Sequence, residues 1–267
     1  VDAASVASVT PLSGPSTGGT TVTVAGAGFS FSSDLSCRFG LVDVPATFVS
    51  AGELLCVSPT AVEESVDVTV TSNGQEYTPT SAAFEYVASA HVYGVEPSRG
   101  SILGGTVVTV TGSGFTDSAA LRCRFGGSDI MPVSATYVSG TTITCPAPAA
   151  LSPGPVLLEV STNGADFSSS GRHFEYVTEA LVFKVSPTVG SVSGGTLVTV
   201  YGHGFVDAST LMCRFGAATV AGRWVSSTEV QCVSPAGAAG AVAVEVTLNG
   251  VDFTGDAVSY AFVDAAS

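Results

Sequence analysis

Three glycine-rich stretches come nearest to a ligand cradle: Gly26-Ala27-Gly28-Phe29, Gly112-Ser113-Gly114-Phe115 and Gly202-His203-Gly204-Phe205. A dinucleotide loop needs its Gly-x-Gly to open a helix and carry a further glycine, and a phosphate loop needs Gly-Lys-Ser/Thr. Neither follows here, so each stretch reads as a turn after a strand, with Phe29, Phe115 and Phe205 plugging a core. His91, His173 and His203 share no sequence context and cannot build a repeated metal site. No nucleophile elbow, carboxylate pair or Asp-x-Asp calcium loop stands out. The sequence therefore assigns no catalytic residue, no cofactor and no metal ligand. Arg38, Arg124 and Arg214 recur inside Cys-Arg-Phe-Gly, and each is expected to pair with a nearby carboxylate or carbonyl.

Six cysteines fall as three matched pairs, Cys37 with Cys56, Cys123 with Cys145 and Cys213 with Cys232. Zinc would need four close ligands, and each pair stands without a repeated histidine. Reduced core cysteines are the plainer alternative. Threefold pairing favours disulfides, each closing a loop of about 20 residues and adding roughly 3 kcal/mol to a β domain with a modest core. Disulfides imply an oxidising compartment outside the cytoplasm.

The rest of the chain must position these residues. Its apolar share of 45% provides ample core, but only 11% of residues are charged. Such a surface suits a protein that meets neighbours. The net charge of −14 and a single lysine, Lys184, argue against nucleic acid or an anionic membrane as partner. No apolar run is long enough for a transmembrane helix in this segment, and the first residue is Val with no leader after it. The chain is expected to be a mature segment or a fragment.

Three stretches align at once: STGGTTVTVAGAGF from Ser16, SILGGTVVTVTGSGF from Ser101 and SVSGGTLVTVYGHGF from Ser191. Each is followed by CRFG, by a second cysteine, by Asn-Gly (Asn73, Asn163, Asn249) and by an aromatic strand (AAFEYV, RHFEYV, SYAFV). The anchors recur at roughly 86 to 90 residues, a repeat of domain size. The expected domains are residues 1–86, 87–176 and 177–262, with 263–267 starting a next unit. Short β-branched runs bounded by glycine pairs predict strands throughout. Asn-Gly between two runs predicts a tight type I′ hairpin. Pro-rich segments bend the chain before each central strand, and about seven strands per repeat describe an immunoglobulin-like sandwich. The fold class is all-β: three tandem immunoglobulin-like sandwiches in an extended row.

The run G-G-T-x-V-T-V-x-G-x-G-F, then C-R-F-G, then C-x-x-P or C-P-x-P, resembles the IPT/TIG domains over almost the whole chain. That resemblance implies an early immunoglobulin-type sandwich with the short disulfide. It implies no single function, because such domains occur as stalks, interaction modules and accessory domains of receptors, surface proteins and sugar-processing enzymes.

The junctions at Val87 and Val177 pass from one repeat to the next without a Gly/Ser tether, which is expected to limit bending. The chain starts and ends with V-D-A-A-S, at Val1 and at Val263. Placed on the repeat, Val263 stands where a fourth domain would begin. The main functional expectation is a structural protein of an extracellular fibre, with three-domain units continuing head to tail and packing laterally as homo-assemblies. The alternative is the stalk of a cell-surface receptor or adhesin that binds a protein ligand. An accessory sugar-binding module is disfavoured by the single Trp224, and a DNA-binding role fails on charge. No N-glycosylation sequon exists. O-linked glycan on Ser/Thr-rich loops is the expected covalent partner.

Overall fold

The structure, a computed structural model, describes residues 4–264. Val1 and the end of the second V-D-A-A-S fall outside the described residues. Every regular element among the described residues is a strand. They pack as two compact units. One comprises the chain up to Gly94 with Val110–Cys145 and Leu158–Arg172; the other comprises Val95–Thr109, Pro146–Leu157 and the chain from His173 on.

The first unit contains the whole first sandwich: β1 (Ser5–Thr10), β2 (Ser13–Pro15), β3 (Thr21–Ala27), β4 (Ser36–Phe39), β5 (Val42–Ser50), β6 (Glu53–Val57), β7 (Ser65–Thr71) and β8 (Ala82–Val87). The order is β1-β3-β6-β5-β4-β7-β8-β2. Its long β5 pairs with β4 through Val42–Pro45 and with β6 through Ala46–Ser50, carrying the chain from one layer to the other. Alternation follows the sequence pattern. Val22 and Val24 point into the core, while Thr21 faces solvent. Phe84 lies edge-on to Phe39 and Tyr86, with ring centroids 5.4 and 5.1 Å apart, an arrangement worth about 0.5–1.5 kcal/mol per pair beyond area burial.

The second repeat contains β9 (His91–Glu96), β10 (Arg99–Ser101), β11 (Val107–Ser113), β12 (Arg122–Phe125), β13 (Val133–Ser134), β14 (Thr136–Ser139), β15 (Thr142–Pro146), β16 (Gly154–Ser161) and β17 (His173–Val177). The counterpart of β5 is interrupted here, leaving β13 and β14 in separate sheets. In the first unit, Leu158–Ser161 of β16 pairs with β12; in the second, Gly154–Leu157 pairs with β17.

The second unit holds the whole third sandwich: β18 (Leu181–Ser186), β19 (Val189–Ser191), β20 (Leu197–His203), β21 (Met212–Phe215), β22 (Ala218–Ser226), β23 (Glu229–Val233), β24 (Gly240–Thr247) and β25 (Val258–Val263). Its order, β18-β20-β23-β22-β21-β24-β25-β19, repeats that of the first. Thr10–Pro11, Glu96–Pro97 and Ser186–Pro187 are cis peptides just before β2, β10 and β19.

The glycine motifs serve close packing. A Cβ on Gly26, Gly112 or Gly202 would stand 2.0, 2.1 or 1.9 Å from the carbonyl oxygen of Ser5, His91 or Leu181. Phe29, Phe115 and Phe205 are buried. In Gly-Gly-Thr, Gly18 has φ +74° and lies against the Pro59 backbone, where a Cβ would meet it at 2.6 Å. Cys37–Cys56, Cys123–Cys145 and Cys213–Cys232 are bonded and buried, joining β4 to β6, β12 to β15 and β21 to β23.

The Asn-Gly segments differ from the expected two-residue turn. Thr71 bridges to Tyr77 and Thr247 to Phe253, so the loops between are wider. The Asn side chain is the cause. Asn73 Oδ1 accepts from the backbone N–H of Gln75 (3.0 Å) and Glu76 (2.9 Å). Asn163 Oδ1 accepts likewise from Ala165 and Asp166, and Asn249 Oδ1 from Val251 and Asp252. An Asx-type cap of this kind satisfies two loop donors that a tight turn would leave to the ladder.

Candidate functional site

The capped loops are the site. In each repeat an acid stands three residues after the Asn and an aromatic residue follows it: Glu76-Tyr77, Asp166-Phe167 and Asp252-Phe253. The arginine of Cys-Arg-Phe-Gly stacks on that ring, with Arg38, Arg124 and Arg214 lying 3.6, 4.0 and 4.1 Å from the centroids. A guanidinium on an aromatic face is attracted by the ring quadrupole and pins the loop to β4, β12 or β21.

Two of the arginines also pair with acids. Arg38 forks onto Asp43 with two bonds of 2.9 Å, and the guanidinium holds that carboxyl below the usual carboxylate range. Arg214 pairs with Glu245. Arg124 departs from the expectation at its Nε, which is buried without a hydrogen-bond acceptor. The acid opposite it in the ladder, Glu159, instead accepts from Ser168 Oγ and the Ser170 N–H.

So anchored, the second and third loops each grip the preceding repeat. Within the first unit, Thr20 Oγ1 donates to Asp166 Oδ2 at 2.7 Å. Asn163 Nδ2 donates to the same Oδ2 at 2.7 Å and to the Ser13 carbonyl at 2.8 Å. Within the second unit, Thr106 Oγ1 donates to Asp252 Oδ2 at 2.6 Å, and Asn249 Nδ2 donates to Asp252 at 2.8 Å and to the Arg99 carbonyl at 3.1 Å. The bonded pairs lie 146 and 150 residues apart in both cases, so this is one junction built twice. Thr20 is 0% and Thr106 2% exposed, which places these charge-assisted bonds away from competing water. A cleft of about 290 Å³ adjoins the first junction, lined by Thr17, Ser89, His91 and Asp166 among others, and one of about 90 Å³ adjoins the second.

Val87 and Val177, expected at the repeat boundaries, end β8 and β17, and Val263 ends β25. The cysteines lie inside the cores, remote in role from the junctions. Sequence reading missed Thr20, Thr106, Asn163, Asp166, Asn249 and Asp252 as partners. The available signal was the Thr after each Gly-Gly together with the acid at the third residue after each Asn.

The sequence model of the IPT/TIG domain matches three times, at residues 4–86, 90–176 and 181–262. The chain belongs to the IPT/TIG domain family. It is 30% identical to human fibrocystin-L over 172 residues, covering 63% of this chain and 4% of that protein. Plexin-A4 of Danio rerio is 28% identical over 251 residues, covering 86% of this chain and 13% of that protein. Among solved structures, the full extracellular region of plexin A4 matches with TM-score 0.47 and 19% identity, over 96% of this chain and 24% of that one. The chain thus spans a small part of the relatives it matches. IPT/TIG sandwiches carrying three disulfides are extracellular or cell-surface structures, and this chain is one.

Proposed function

We propose that these IPT/TIG domains form a non-enzymatic stalk segment of a cell-surface receptor or adhesin, holding a binding region at a set distance. The observation that carries this reading is the junction built twice from the same Thr, Asp and Asn. A tandem array joined only by chain would leave each domain free to swing. Buried, charge-assisted hydrogen bonds from a clamped loop instead fix how one domain follows another. The similarity to plexin-A4 and fibrocystin-L favours a stalk over the extracellular fibre of repeating units. O-linked glycan on the exposed Ser/Thr loops is part of this proposal; a native mass equal to that of the bare polypeptide would remove it.

The test uses the full-length protein on cells. Energy transfer is measured between a membrane dye and a labelled antibody fragment bound to the outermost domain. Deleting residues 87–176 should raise transfer while leaving surface delivery unchanged. Unchanged transfer would refute the spacer reading.

A further inference from the structure

Each junction asparagine is followed by glycine, as Asn163-Gly164 and Asn249-Gly250. Asparagine is thermally labile. The backbone nitrogen of the next residue can attack its side-chain carbonyl carbon, and glycine has no side chain to shield that nitrogen. The capped loops assemble the groups this attack needs. Asn163 Oδ1 accepts from three donors: the Ser161 hydroxyl at 3.0 Å and the N–H groups of Ala165 and Asp166 at 3.0 and 2.8 Å. Three donors on one carbonyl oxygen polarise it and stabilise the negative charge that an attack at Cγ places there. The attacking nitrogen is tied to the same hydroxyl, because the Gly164 N–H donates to Ser161 Oγ at 2.9 Å. Ser161 therefore links the nucleophile's proton to the oxygen that receives charge.

The third sandwich repeats the arrangement. Asn249 Oδ1 accepts from the Thr247 hydroxyl at 3.1 Å and from the Val251 and Asp252 N–H groups at 3.0 and 2.8 Å. The Gly250 N–H donates to Thr247 Oγ1 at 3.0 Å. Ser161 and Thr247 are both 0% exposed, so water does not compete for these bonds. The closed junction restrains the other end of each amide. Asn163 Nδ2 is held by Asp166 Oδ2 and the Ser13 carbonyl, and Asn249 Nδ2 by Asp252 and the Arg99 carbonyl. Ring closure must rotate this amide and release its nitrogen, so an engaged junction slows the step and an open one frees it.

We propose that Asn163 and Asn249 are self-modification sites that turn an opened junction into one that cannot close. At the first, the Gly164 nitrogen bonds to Asn163 Cγ, the Cγ–Nδ2 bond breaks, and the glycine N–H proton leaves with the amine as ammonia. Water then opens the cyclic imide at either carbonyl, giving aspartate or isoaspartate at that position; one water is consumed and one ammonia released. The product carries a carboxylate where the amide donated to Asp166 and to the Ser13 carbonyl. Two carboxylates and a carbonyl oxygen with no amide proton between them repel, and closure is lost. This inference rests on the junction chemistry alone, and its failure would leave the stalk reading intact.

Ageing the purified full chain in mildly alkaline buffer, with peptide mass spectrometry for a gain of about one dalton, tests this. Thr20→Val unlatches the first junction without touching the Asn163 loop. It should speed conversion at Asn163 by about tenfold or more while Asn249 keeps its rate, and Thr106→Val should do the reverse. Adding Ser161→Ala to Thr20→Val should slow conversion at Asn163 by about tenfold or more, whereas an Asn-Gly that is merely exposed would convert as fast or faster. Asn163→Asp should broaden spin-label distances across the first junction at neutral pH. Equal rates in Thr20→Val and the unaltered chain, no slowing by Ser161→Ala, or unchanged distances in Asn163→Asp overturn the proposal.

Discussion

Asp166→Ala removes the acceptor at the centre of the first junction. Asp166 Oδ2 takes the Thr20 hydroxyl and the Asn163 amide, both at 2.7 Å. A hydrogen bond to a charged group contributes about 1.5–3 kcal/mol. Thr20 would be left fully buried without a partner in the closed arrangement, and it regains one by letting water in. The loss therefore falls on the closed junction and not on the sandwiches, whose cores do not include Asp166. At 1.4 kcal/mol per factor of ten, the open population should rise about 10- to 150-fold. Spin labels at exposed positions of β5 and β14 in the full chain would report this as a broadened distance distribution, with the thermal midpoint nearly unchanged. Asp166→Asn keeps an acceptor oxygen but loses the charge, so its broadening should be intermediate. An unchanged distribution in Asp166→Ala would refute the claim that this carboxylate fixes the junction. A collapse of the first sandwich's own stability would refute the claim that it acts only there.

Replacing Cys37 and Cys56 together by Ser opens a loop of 19 residues and should lower the urea stability of the first sandwich by roughly 3 kcal/mol, without altering either junction. Gly100→Ala places a Cβ 2.4 Å from Thr106 Oγ1 and 2.8 Å from the Phe174 ring, so it should displace Thr106 from Asp252 and broaden distances across the second junction only. Burial pushes the Tyr86 and Tyr176 hydroxyls up to about 12 from an ordinary value of 10.0. Both tyrosines are neutral in the folded and unfolded chain below pH 10; between pH 10 and 12 the unfolded chain alone ionises. Stability present below pH 10 should then fall as the pH rises from 10 toward 12, and Tyr86→Phe should flatten the slope in rapid alkaline unfolding.

The strands, the cysteine pairs and the core aromatics were legible because each occurs three times, and repetition separates signal from accident. β3, β11 and β20 follow directly from β-branched runs sharing Val-Thr-Val between glycine pairs. The junction was less legible for a physical reason. Its partners belong to different repeats, 146 residues apart, and no local period reports a contact across that distance. The Asn-Gly dipeptide also drew attention to backbone conformation, since Asn and Gly tolerate positive φ. What decided the loop was the Asn side chain, which caps two loop N–H groups and widens the turn until the acid reaches the neighbouring domain. Arg124 shows the same limit. Its register places it opposite Glu159, but Ser168 and Ser170 compete for that carboxylate, and a competition among side chains is settled only in three dimensions.

The scarcity of charge explains why these few groups can set domain order. Neutral faces rich in Ser, Thr, Gly and Ala lack the charge contrast that rejects wrong registers. The discrimination must come from the small number of charged groups that are desolvated, where each bond is strongest and each mispairing most costly. Three of the eight cationic side chains are committed to clamping the hairpins, and two of the acids on those hairpins, Asp166 and Asp252, meet a buried threonine rather than a second charge. A hydroxyl partner makes the contact insensitive to salt compared with an ion pair. The junctions should therefore hold across the ionic strengths an extracellular segment meets, whereas the exposed Arg38–Asp43 pair should weaken with salt without loosening any domain.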